Sequence, residues 1–172
     1  MKSEYLRHVG GALLALLGLT LSVQAAPNNN YVPEVEWVEA AVPPAPAFQP
    51  SGGLAIAMPL HVSVKVAVDP STVVIGSDGV VRYVAYMTNQ SGSISAVYEG
   101  IRCPTDEVKT YARWNQSNGW LPIAEPVWKE INSNLPSKHA FAIARQGACD
   151  VRLPRSSVAE ILGALKRGAP LR

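Results

Sequence analysis

The reading of the fold turns on DGVVRYVAYMTNQSGSISAVYEGIRC, Asp78 to Cys103. Asp78-Gly79 stands between two β-branched runs, STVVIG before it and VVRYVAYMTN after it. An Asp-Gly step in that setting marks a tight hairpin, because glycine takes the positive φ that the turn needs. Ser91-Gly92-Ser93 marks a second turn, and ISAVYEGIRC reads as the next strand. Strands joined this closely are antiparallel neighbours.

The pattern extends in both directions. Upstream, HVSVKVAVDP alternates, with Val62, Val64, Val66 and Val68 on one face and Ser63, Lys65 and Ala67 on the other. Downstream, DEVKTYARWN places Val108, Thr110 and Ala112 on one side and Lys109, Tyr111 and Arg113 on the other, before a polar turn at Asn115–Gly119. Pro126 suits the first turn of a short helix carried by VWKEI and stopped by Asn-Ser-Asn. KHAFAIARQGAC reads as a further strand ending at Cys149. The tail is the clearest helix. Ser157 and Glu160 have capping-box spacing, Val158, Ile161, Leu162 and Leu165 share a face, and Lys166, Arg167 and Gly168 suit its end. The expected fold is α+β and β-rich: one curved antiparallel sheet of about five to six strands, with a short helix and a C-terminal helix packed on it.

The first residues read differently. Lys2 and Arg7 precede an apolar run from Gly10 to Val23, and Val23-Gln24-Ala25 has the compact residues of a cleavage site. This is the layout of a signal peptide, expected to span residues 1–25, with cleavage after Ala25 or Ala26. The run of about 14 residues is short of the ~20 that a spanning helix needs, and polar PNNN follows it directly. No cysteine stands near the cleavage site to carry a lipid. Residues 26–53 then form a Pro-rich strap or linker, extended between Pro43 and Pro50, and residues 54–172 a single domain.

Composition narrows the function. Formal net charge is +2, and about +1 once Lys2, Glu4 and Arg7 are removed. Near-neutrality without a basic cluster argues against nucleic acid as a partner. Export makes an even pair of cysteines, Cys103 and Cys149, most simply a disulfide closing a loop of about 47 residues. Neither cysteine has a second Cys or a His at ligand spacing, and His61 and His139 lack the spacing of a metal pair. No metal and no cofactor is expected.

DGVVRY (Asp78–Tyr83) and YEGIRC (Tyr98–Cys103), followed by Lys109, Tyr111-Ala112 and a later second cysteine, resemble the cryptic neisserial protein one-like family. These are small exported proteins of the Gram-negative bacterial envelope. The resemblance covers roughly Trp37 to Cys149, and the tail after Cys149 is longer than the shared pattern needs. It implies a periplasmic location. It brings no activity and no catalytic residue.

Three sets of residues are candidates for function. Cys103 with His139 would make a thiol nucleophile and its base, against the simpler fate of a disulfide. Glu99, Asp106 and Glu107 are carboxylates that, held ~5 to ~9.5 Å apart, have the geometry of a glycosidase pair. The plainer reading of Glu99 is a partner for Arg82 or Arg102. Third are the aromatics Tyr83, Tyr86, Tyr98, Tyr111, Trp114, Trp120 and Trp128, which stack on ligands when exposed and pack a core when not. Tyr111, Arg113 and Trp114 are the expected binding face. The sequence thus favours a non-catalytic binding or accessory module of the periplasm. Its partner would be an envelope protein or cell-wall component, and no segment after the leader spans the membrane. The competing reading is an envelope hydrolase acting on a cell-wall polymer through Glu99 and Asp106.

Overall fold

Antiparallel pairing organises the chain from Leu54 onward. The computed structural model describes residues 36–132 and 138–168. The expected leader and its cleavage site therefore lie outside the described residues, as does Arg172. The strands are β1 Leu54–Ile56, β2 Lys65–Val68, β3 Val74–Ile75, β4 Val81–Thr88, β5 Ile94–Arg102, β6 Glu107–Asn115, β7 Gly119–Pro122 and β8 Lys129–Glu130. They form one antiparallel sheet in the order β1-β2-β4-β5-β6-β7. β3 is a second partner of β4, and β8 a second partner of β6. The helix α1 (His139–Ile143) runs into a π turn (Ala144–Ala148). A two-stranded ribbon of β9 (Cys149–Asp150) and β10 (Leu153–Pro154) follows, and then α2 (Val158–Arg167). No helix among the described residues is long and apolar enough to cross a membrane.

The β-rich antiparallel sheet with one short and one C-terminal helix is as expected, but the short helix stands elsewhere. Residues 126–128 are irregular, and Lys129–Glu130 joins β6 as β8, opposite Val108 and Glu107. Ile131 donates its N–H to Asp106 O at 2.8 Å and is buried. That pairing satisfies backbone groups that a single helical turn would leave open. Conversely, KHAFAIARQGAC is not a strand. Its alanines favour helix, and winding it buries Ala140, Ala142, Ile143, Ala144 and Ala148 together. A short apolar alternation does not distinguish the two states by itself. The strand in HVSVKVAVDP is also shorter than its alternation suggests. Pro59 accepts from the Val62 N–H to form a turn, and only Lys65–Val68 pairs.

Each face of the sheet has its own cover. On one face Val66, Val68, Val81, Tyr83, Ala85, Val97 and Ile101 meet Ala140, Ile143, Ile161 and Leu165 from the helical segments. α2 docks as its apolar spacing implies, and Gly147 leaves room for the Leu165 side chain. Ser157 caps α2 by accepting from the Glu160 N–H at 3.3 Å. The disulfide between Cys103 and Cys149 ties the end of β5 to the start of β9. Closing a loop of this size is worth about 4 kcal/mol in the chain-entropy account.

Residues 36–53 cover the second face. Phe48 sits among Tyr86, Trp114 and Trp120, with ring centroids 5.4, 5.3 and 6.2 Å away. Trp120 Nε1–H donates to Pro46 O at 2.9 Å. A polar clamp holds the other end of the segment. Asp78 pairs with Arg82 at 2.7 Å and accepts from the Ala40 N–H at 2.9 Å, and its carbonyl accepts from Trp37 Nε1–H. Glu39 accepts from Lys109 and from the Tyr111 hydroxyl, both at 2.7 Å. The Trp37 ring lies 3.8 Å from the Arg102 guanidinium, a cation–π contact.

Two outcomes are expected. The double substitution Cys103→Ser with Cys149→Ser lowers unfolding free energy by ~2–5 kcal/mol in denaturant titrations; two free thiols in the unreduced native protein contradict the pairing. Asp78→Ala leaves the buried Arg82 charge without its nearest partner, costs about 3 kcal/mol, and speeds proteolysis within residues 36–53. Unchanged proteolysis there means that the clamp does not hold this segment.

Candidate functional site

The register of β4 and β5 sets which charges share a face. Tyr83 stands opposite Glu99, and Arg82 opposite Gly100. Glu99 therefore points to the helix side and Arg82 to the side covered by residues 36–53. The expected partnership of Glu99 with Arg82 or Arg102 is not formed: Arg82 belongs to Asp78, and Arg102 pairs with Glu107 at 3.5 Å. Glu99 instead meets His139, Nε2 to Oε2, at 2.7 Å. Thr110 Oγ1 donates to Oε1 at 2.8 Å, and the Tyr83 hydroxyl donates to Oε2 at 3.2 Å. Both members of the pair are buried, at 3% and 7% exposure.

Burial opposes ionisation of Glu99, but the His139 charge and three hydrogen bonds outweigh it and hold the carboxyl below its usual range. Burial likewise opposes the His139 cation, and Glu99 outweighs it, so the imidazole is held above its usual range; Arg113 pulls the other way. Burial and the Glu99 charge push the Tyr83 phenol up, so it stays a donor.

A groove of about 430 Å³ opens beside this pair. Glu99, Thr110 and His139 contribute to its lining, with apolar walls from Met87, Val97, Ile123 and Val127. Arg113, Glu125 and Lys129 also line it. Arg113 reaches this side because of a β-bulge. Tyr98 stands opposite Ala112 while Glu99 stands opposite Thr110, so Tyr111 is an extra residue on β6. The bulge breaks the alternation expected from the sequence. Ala112 joins Tyr98, Tyr111 and Trp114 on the face that residues 36–53 cover, and Arg113, opposite Val97, joins the helix side. Gly100 allows this, since a Cβ there would run into the Tyr111 hydroxyl and Val80. Arg113 is exposed and makes no ion pair among the described residues.

The sequence-derived candidates separate accordingly. Tyr111, Arg113 and Trp114 do not form one surface. Tyr111 is buried with its hydroxyl on Glu39, and Trp114 packs under Phe48. The aromatics Tyr86, Trp114 and Trp120 do receive a peptide segment, but it is the chain's own. Asp106 lies in the turn before β6 and lines a different, smaller cavity with Arg145 and Arg155. Glu99 and Asp106 thus line separate cavities. Cys103 is in its disulfide and has no thiol to offer. His61 lines another groove, which His139 does not line. The Glu99–His139 pair escaped sequence reasoning because 40 residues separate its members. The unusual glutamate inside an apolar strand was the one available signal.

Fold and groove together define a β-rich α+β protein whose main antiparallel sheet is covered on both faces, with a groove of about 430 Å³ beside a buried acid–base pair. The chain belongs to the CNP1-like family, whose model matches residues 32–166. That match includes α2, so the tail after Cys149 is part of the shared pattern rather than an addition to it. No curated protein and no solved structure matches the chain at a significant level.

The buried pair makes stability depend on pH. The raised His139 contributes stability that is complete below about pH 6.5 and is lost as pH climbs through its folded value. The lowered Glu99 contributes above about pH 4.5 and is lost as pH falls through its folded value. The pair therefore supports the fold most between about pH 4.5 and 6.5. Denaturation midpoints at pH 5.5 and pH 9 are expected to differ more in the native sequence than in His139→Gln. An equal difference in both proteins removes the pair as the cause.

Proposed function

We propose that this protein is an exported, periplasmic, non-catalytic binding module of the cell envelope, and that the groove beside Glu99 and His139 is its ligand site. One observation carries the reading. Arg113 is turned by the β6 bulge to the groove side, where both oxygens of Glu99 are already engaged by His139, Thr110 and Tyr83. An exposed guanidinium over an apolar groove suits an anionic group, carboxylate above all, because its fork matches two oxygens. Small-ligand sites have this composition: apolar walls and a few placed polar groups. Of the expected binding face, Arg113 is thus the contact residue. Tyr111 and Trp114 act at one remove, by seating residues 36–53. The leader-like opening of the chain, the paired cysteines and the family resemblance support export. The preference for binding over hydrolysis rests on Glu99, whose two oxygens are both engaged by neighbours.

Two measurements test this. Protein purified from the periplasm is expected to begin at Ala26 or Pro27 by mass spectrometry; a chain retaining Met1 refutes cleavage. Sodium hexanoate is expected to shift the amide NMR signals of Thr110, Arg113 and Ala140 together, and Arg113→Glu to abolish the shifts. Shifts scattered over the surface, or undiminished in Arg113→Glu, count against the groove.

A further inference from the structure

A second groove of about 660 Å³ lies on the same side of the sheet. Met58, Val62, Val64, Val66 and Ile94 give it an apolar lining. Met87 lines both grooves. Lys138 borders the second, and the next two residues, His139 and Ala140, border the first. The two therefore share Met87 as a lining residue and lie on either side of the start of α1.

The strand register shows how they run. Ser95 stands opposite Met87, which stands opposite Val66. These three residues share the helix-side face at the second groove. Val97 and Glu99 follow Ser95 on that face of β5, each step about 6.6 Å, and both line the first groove. Arg113 stands opposite Val97. The path from Arg113 to the far groove is thus a lane along β5, with Val97, Met87 and Val66 as its apolar floor and Ser95 and Lys138 at the border of the far groove.

We infer that the two grooves form one site for a single-chain anionic amphiphile, with its carboxylate at Arg113 and its hydrocarbon chain over Met87 toward Met58. Charge complementarity selects the head. His139 offsets Glu99 at the floor, and Arg113 and Lys129 outnumber Glu125 at the groove. The chain is selected by the lining beyond Met87, where flexible thioethers accommodate a hydrocarbon of variable conformation. This inference rests on the groove reading above and adds the chain.

The test compares sodium hexanoate with sodium decanoate by calorimetry and amide NMR, on the full mature protein. Each methylene fully removed from water raises affinity about fourfold. Four additional methylenes are expected to tighten binding at least tenfold, with new shifts at Val66, Met87 and Ser95. Ser95→Trp, which fills the second groove from an exposed position, is expected to remove that gain while hexanoate still binds. Met58→Asp is expected to act in the same way. Octyl glucoside, an uncharged amphiphile, is expected to bind at least tenfold more weakly than decanoate. Equal affinity for hexanoate and decanoate, both dependent on Arg113, overturns the two-groove site and leaves the carboxylate reading standing. Octyl glucoside binding as tightly as decanoate overturns the anionic head. Failure of both acids to bind overturns both readings, and binding of hexanoate but not decanoate overturns the two-groove site alone.

Discussion

The pairing of Tyr83 with Glu99 is the constraint on which the rest of this structure depends. It fixes the register of β4 and β5 at the centre of the sheet, and a slip of one residue would exchange the faces of every side chain on one of them. In the observed register the two buried charges of this hairpin go to opposite sides. Arg82 faces the segment 36–53, and Glu99 faces α1. Each then finds its counter-charge in the element that covers its side: Glu39, with Asp78 of the hairpin turn, for Arg82, and His139 for Glu99. The sheet is thus addressed electrostatically on both faces.

Buried ion pairs are weak sources of net stability, because desolvation consumes most of the Coulomb attraction. Breaking one from a single side is expensive, however. Such a pair contributes position more than energy. A cover that slid along either face would strand a charge, whereas a purely apolar contact between Phe48 and its aromatic cradle would tolerate small shifts. The clamp at Asp78 and the pair at Glu99 each remove that latitude. The disulfide does the same for the chain that leads from α1 into β9.

Much of the architecture was legible in the sequence. Turn residues at Ser77–Gly79 and Ser91–Ser93, the alternation in β2, the β-branched run of β4 and the capped α2 all carry local signals, and local signals survive into the fold. The disulfide followed from counting cysteines. Three features were not legible, each for a physical reason. The exchange of helix and strand between residues 126 and 148 reflects short apolar segments whose state is set by tertiary partners. The bulge at Tyr111 has no sequence mark, since it arises from the match between β5 and β6, and it alone moves Arg113 to the other face. The Glu99–His139 pair joins residues from β5 and α1, and α1 itself reads as a strand.

The bulge also explains why the aromatic and cationic residues of β6 have different tasks. Without it, Tyr111 and Arg113 would share a face, as their spacing implies. With it, Tyr111 and Trp114 stay with the segment that covers them, and Arg113 is delivered alone to the opposite side. A cation placed there by chance would be expected to find a carboxylate on a neighbouring strand. The nearest one in register, Glu99, is already satisfied by His139, Thr110 and Tyr83. The network that engages both oxygens of Glu99 is therefore what leaves Arg113 available. The buried pair that positions α1 and the exposed guanidinium at the groove are two consequences of one arrangement, so a change that unpairs Glu99 is felt at Arg113 as competition from within.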